Sequence, residues 1–114
     1  MTLILDGMDQ AKLLLPQLCN LSKAFSDAWK IRTHLTGVLD HGYSPFCVVD
    51  LFQWPHDTNL TLNVLLLVLA RRTSIPDVLY IQMDNCYREN KNQFVISFLA
   101  VLIKCGVFNK VRIQ

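Results

Sequence analysis

Two aspartates attract attention because of what precedes them. Asp6 follows the short apolar, β-favouring run Thr2 to Leu5, and Asp84 follows the run around Val78-Leu79-Tyr80-Ile81. An acid at the C-terminal end of an apolar strand stands where open α/β sheets place their ligands. If the two strands are neighbours, their backbones lie about 4.8 Å apart, and the two carboxylates can hold one divalent cation. Hard oxygen ligands suit Mg²⁺ or Mn²⁺. Such ions clamp the attacking and leaving oxygens of a phosphodiester, while the protein supplies carboxylates at fixed positions. Spacing alone favours a plainer use of each acid, as a helix cap or turn residue.

Asp9 is a weaker partner, because residues three apart on a continuing strand face opposite sides. Its separation from Asp6 also misses the Asp-x-Asp spacing of an aspartyl-phosphate loop, and no glycine-rich phosphate loop occurs anywhere. Cys19, Cys47, Cys86 and Cys105 form no Cys-x-x-Cys pair, which excludes a zinc ribbon or thioredoxin motif and leaves reduced thiols as the expectation. Neither Cys47 nor Cys86 has a local histidine with which to make a nucleophile. His34, His41 and His56 lack the helical spacing of a metal motif, so ordinary core and loop use is expected of them.

The elements that must position these residues read as follows. The first strand, Thr2 to Leu5, runs into Asp6-Gly7. Residues 10–32 are mixed, with Pro16 breaking any long helix, and are expected to hold a short helix around Leu21 to Trp29 or a binding insert. Leu35 to Leu39 and Phe46 to Phe52 make a hairpin about the turn-forming segment Asp40 to Pro45. Asp57 or Thr58 caps a buried helix that runs to Ala70. Asp77 to Met83 forms a fourth strand. Phe94, Val95, Phe98, Leu99, Leu102 and Ile103 recur on one helical face, with Asn90 or Asn92 as cap and Gly106 as stop. A fifth strand begins at Val111. Antiparallel pairing suits the first three strands and strand-helix-strand crossovers suit the rest, so a mixed sheet covered by helices is expected.

Length and composition set the bounds. A chain of 114 residues, 52% apolar, is one domain with a packed core and no room for a second. The net charge of +2 is too small to signal nucleic acid by itself. The opening residues become acidic before any signal-peptide length is reached, and the longest apolar block, Val64 to Ala70, is far short of the roughly 20 residues of a membrane span. An intracellular location, the nucleus included, and no membrane partner are expected; oligomeric state is not legible.

Four blocks then carry a family resemblance: Leu5-Asp6-Gly7-Met8-Asp9-Gln10-Ala11-Lys12, Thr33 to Gly42, Pro55 to Thr61, and Met83 to Asn92. In this order they resemble a domain of unknown function found in transposon-derived proteins, similar to the ribonuclease-H-like core of DDE transposases. The resemblance covers almost the whole chain. It implies an α/β, ribonuclease-H-like mixed sheet of about five strands, with Asp6 and Asp84 as catalytic metal ligands on adjacent central strands. It also implies Mg²⁺ or Mn²⁺ as cofactor, DNA as partner, and phosphodiester cleavage or strand transfer as the reaction. Asp9, Asn85 and Glu89 are possible accessories; Lys12, Arg88 and Lys91 stand beside the matched acids where phosphates would pass, although solvated surface is their commoner use. Tyr87 and Trp54 can stack on bases or anchor a loop. The resembled family continues into a Gly-His-Thr-His-Glu-Asp-type block with a third acid, whereas this sequence stops at Gln114. The expectation is therefore a truncated domain, inactive alone, with a non-catalytic interaction module as the alternative.

Overall fold

The short β-favouring run that opens the chain forms the first strand, β1 (Thr2–Gly7), in which alternate side chains Leu3 and Leu5 are buried and Asp6 turns the other way. The computed structural model describes residues 1–8, 14–15, 29–84 and 91–114. Within 10–32, β2 (Leu14–Leu15) and β3 (Ile31–Arg32) pair antiparallel as a small separate sheet, which the sequence pattern does not announce. The short helix expected around Leu21 to Trp29 falls largely outside the described residues; Trp29 itself is exposed and in no element.

The hairpin comprises β4 (His34–Asp40) and β5 (Ser44–Asp50). Its second strand starts and ends two residues earlier than the sequence suggests, for two local reasons. Gly42, at φ +81°, closes the turn between Asp40 and Ser44, so Pro45 already lies in the strand opposite Leu39. Proline is tolerated there because β5 is an edge strand. At the other end, the Asp50 carboxylate accepts the Phe52 N–H at 2.8 Å, and Phe52 takes a left-handed φ of +59° that turns the chain out of the sheet.

α1 (Thr58–Ala70) begins at Asp57, whose side chain accepts from the N–H groups of Asn59 and Leu60. The expected buried helix is buried along one stripe: Val64, Leu65, Val68 and Leu69 face inward, while Leu66 and Leu67 remain 45% exposed. One stripe of a helix suffices to cover a sheet. β6 (Val78–Met83), α2 (Gln93–Lys104) and β7 (Lys110–Ile113) follow. Asn92 is the N-cap of α2. Gly106, at φ +74°, closes that helix with its N–H on the Ile103 carbonyl, and the Val107 N–H reaches back to Leu102.

The main sheet has the order β5-β4-β1-β6-β7, antiparallel through β5, β4 and β1 and parallel through β1, β6 and β7. This is a mixed α/β fold of ribonuclease-H-like arrangement. Leu3, Leu5, Val38, Leu79, Ile81 and Met83 of the sheet form one core with the inner stripes of both helices and with Phe108. Both helices therefore lie on one face of the sheet. Tyr80, Gln82, Leu39 and Val49 are exposed, and by strand alternation face the other way. No helix among the described residues is long and apolar enough to cross a membrane.

Candidate functional site

β1 and β6 run parallel with Leu5 opposite Met83, so Asp6 and Asp84 are the next residues of the two adjacent strands. Leu5 and Met83 are both buried, and within β1 strand alternation turns the Asp6 side chain away from Leu5. Asp6 and Asp84 are both exposed. With strands about 4.8 Å apart, two carboxylates in step can share an ion, and an oxygen-only donor set suits a hard cation. Lys91 stands just before α2, close in sequence to this edge. Asp9, Lys12, Asn85, Tyr87, Arg88 and Glu89 lie outside the described residues.

The strand directions gather more than these two acids at the same end. β4 runs against β1, so it starts where β1 finishes; β5 ends there, and the connection to α1 crosses the same edge. Hence His34, the first residue of β4, pairs with Asp50, the last of β5, and His56 folds back onto both. His34 Nδ1 lies 3.2 Å from Asp50 Oδ2, and His56 Nε2 lies 3.4 Å from Asp50 Oδ1. The two imidazole rings are 3.9 Å apart between centroids, and the Phe52 ring lies 4.4 Å from His56. His34 and Asp50 are each only 7% exposed. The other ring nitrogen of His34 points toward β1: a Cβ placed on Gly7 would lie 3.7 Å from Nε2.

A small cavity of about 30 Å³ opens beside this group, lined by Asp6, Gly7, His34, Thr36, His56 and Thr61 among others. A shallower hollow of about 420 Å³ lies next to it, between the exposed Trp54 and the first turns of α1 at Asn59 and Asn63. Asp57 at this end is engaged in capping α1, and Asp50 is engaged with the histidines and Phe52.

Residues 23–114 match the family described as Domain of unknown function (DUF7869). The chain belongs to that family. Within the DUF7869 match lie Asp84 and the whole His34, Asp50 and His56 group, while Asp6 precedes it. Comparison with curated proteins and with solved structures finds no match.

For this DUF7869 chain the histidine group is what sequence reasoning missed. The signal was present: once the turn is set at His41 to Tyr43, counting back along the hairpin puts His34 opposite Asp50. Reading β5 as far as Phe52 hid that register. Among the described residues, Cys47 and Cys105 are free and exposed, and Cys47 lies on the edge strand opposite Gly37.

Proposed function

We propose that this domain is a transposase-like, DDE-type unit that acts on DNA phosphodiesters with Mg²⁺ or Mn²⁺ held by Asp6 and Asp84. The observation that carries this reading is the in-step placement of the two acids at the C-terminal ends of adjacent parallel strands. The bound ions would supply charge stabilisation for the oxygens that attack and leave the phosphorus. The chain's own contribution is positional. β1 and β6 fix the two carboxylates through a continuous ladder, with buried Leu5 and Met83 directly behind them. Trp54, exposed beside the hollow at the same end, presents a ring face on which a base can stack.

A non-catalytic interaction module is the second reading. It is favoured by the apolar residues that α2 leaves exposed, Phe94, Ile96 and Val101. Thermal unfolding with and without Mn²⁺ separates the two, because a ligand bound only by the folded state raises the melting temperature. At about 100 times the dissociation constant the gain is roughly 2.7 kcal/mol. The nuclease reading expects that gain in the wild-type chain and its loss in Asp84→Asn. An Asp84→Asn chain that keeps the full Mn²⁺ shift removes Asp84 from the site and favours the module.

A further inference from the structure

We infer that His34, Asp50 and His56 form a second metal site, selective for a zinc-class divalent ion, with a water from the adjoining cavity completing the coordination. The donor set is the first argument. Two imidazoles and one carboxylate suit zinc and its neighbours, whereas magnesium prefers oxygen throughout. Geometry is the second. One ligand atom from each residue lies within 4.8 Å of the other two, with His34 Nδ1 3.2 Å from one carboxylate oxygen of Asp50 and His56 Nε2 3.4 Å from the other. A tetrahedral ion with bonds of about 2.0–2.1 Å has ligand-to-ligand edges of roughly 3.3 Å. Small side-chain shifts are enough to close the set around an ion.

Three protein ligands leave one position for solvent, and the cavity of about 30 Å³ beside His34 and His56, lined in part by Thr36 and Thr61, has room for a water. The backbone supplies a further argument. Phe52 holds a left-handed φ of +59°, a conformation that costs a bulky residue on the order of 1–3 kcal/mol and concentrates at functional sites. That turn sends the chain back so that His56 meets Asp50, with the Phe52 ring packed against His56. An ion here would join the start of β4, the end of β5 and the approach to α1.

The site does not depend on the Asp6 and Asp84 reading, since its ligands are other residues of different donor chemistry, and Asp6 borders its cavity without being one of them. Equilibrium dialysis of the full chain against Zn²⁺ is the test, run on wild type, His56→Gln and Asp6→Asn/Asp84→Asn. The expected result is one tightly held zinc per wild-type chain, retained by the double aspartate variant. Loss of an outer-shell partner alone weakens metal sites about 10–100-fold, so loss of the His56 ligand should weaken binding by at least about 100-fold. Cobalt substitution of the wild type reads the ligands without any variant. Two hyperfine-shifted imidazole N–H signals, without a sulfur-to-metal charge-transfer band, are expected. No stoichiometric zinc, undiminished binding by a folded His56→Gln chain, loss of zinc in the double aspartate variant, or a cobalt spectrum with thiolate character would each overturn the site. The last would move the metal to a cysteine, and the first would leave Asp50 as a hydrogen-bond acceptor for two histidines and the Phe52 N–H.

Discussion

Two aspartates of the hairpin are buried, and each is compensated by different chemistry. Asp50 meets imidazoles and a backbone N–H, as described above. Asp40, 1% exposed, accepts two bonds from one guanidinium, Arg72 Nε at 2.7 Å and the terminal nitrogen at 2.6 Å. The same guanidinium lies 4.5 Å over the Tyr43 ring, so Arg72, two residues past α1, is fastened to the hairpin turn. Removing one member of a buried pair leaves an uncompensated charge, a larger loss than the pair itself is worth. Arg72→Leu is therefore expected to lower unfolding free energy by about 3 kcal/mol, the low end for such pairs because Arg72 keeps some solvent contact. Asp40→Leu combined with Arg72→Leu should recover most of that loss. Urea unfolding of the three variants measures it; a double variant no more stable than Arg72→Leu would show that packing over Tyr43, and not the orphaned carboxylate, sets the cost. By position alone, just after a helical run, Arg71 and Arg72 are only positive charges suited to a helix C-terminus. That Arg72 reaches a buried acid 32 positions earlier depends on the tertiary path of α1 across the hairpin.

At the scale of elements, caps were the most legible feature, because a side-chain oxygen before a helical run acts locally. Asp57 and Gly106 do what their positions indicate. For α2, Asn90 and Asn92 were both open, and Asn92 holds the position for a non-local reason: its Oδ1 accepts from the N–H groups of Phe94 and Val95 while its Nδ2 donates to Thr58 Oγ1 at 2.5 Å. One side chain thus begins α2 and pins it to the first turn of α1. Ordinary cap removal costs about 1 kcal/mol. Asn92→Ala also removes the bond that ties α2 to Thr58, so a loss of about 2 kcal/mol is expected. Asn92→Asp keeps the acceptor and loses the donor, and should fall between the two in chemical denaturation. Equal losses for Ala and Asp would mean that the bond to Thr58 carries the whole effect. β5 was the least well-bounded strand because the tight turn at Gly42 and the departure at Phe52 are both set by φ values that residue type only partly announces.

At the scale of the whole molecule, the sheet order brings Asp6, Asp84, His34, Asp50 and His56 to one edge. The C-terminal ends of β1, β5 and β6 meet the start of β4 there, and the N-termini of both helices begin nearby. That convergence was legible for Asp6 and Asp84, because a strand-end rule applies to each run separately. It was not legible for His34, Asp50 and His56, because they meet only after a hairpin register and a strained turn are both in place. Which faces of the sheet the helices cover was likewise hidden, since Leu3 and Leu39 have the same residue type in similar strand runs. The structure separates them: Leu3 is 0% exposed under the helices, and Leu39 is 44% exposed on the other face. A one-sided core makes the two positions unequal. Leu3→Ala is expected to cost 2–5 kcal/mol, by roughly the range for large-to-small changes in packed cores. Leu39→Ala should cost about 1 kcal/mol or less. Urea midpoints of the two variants decide the matter. Comparable losses would mean that the second face of the sheet is as tightly covered as the first, and the core would then be two-sided.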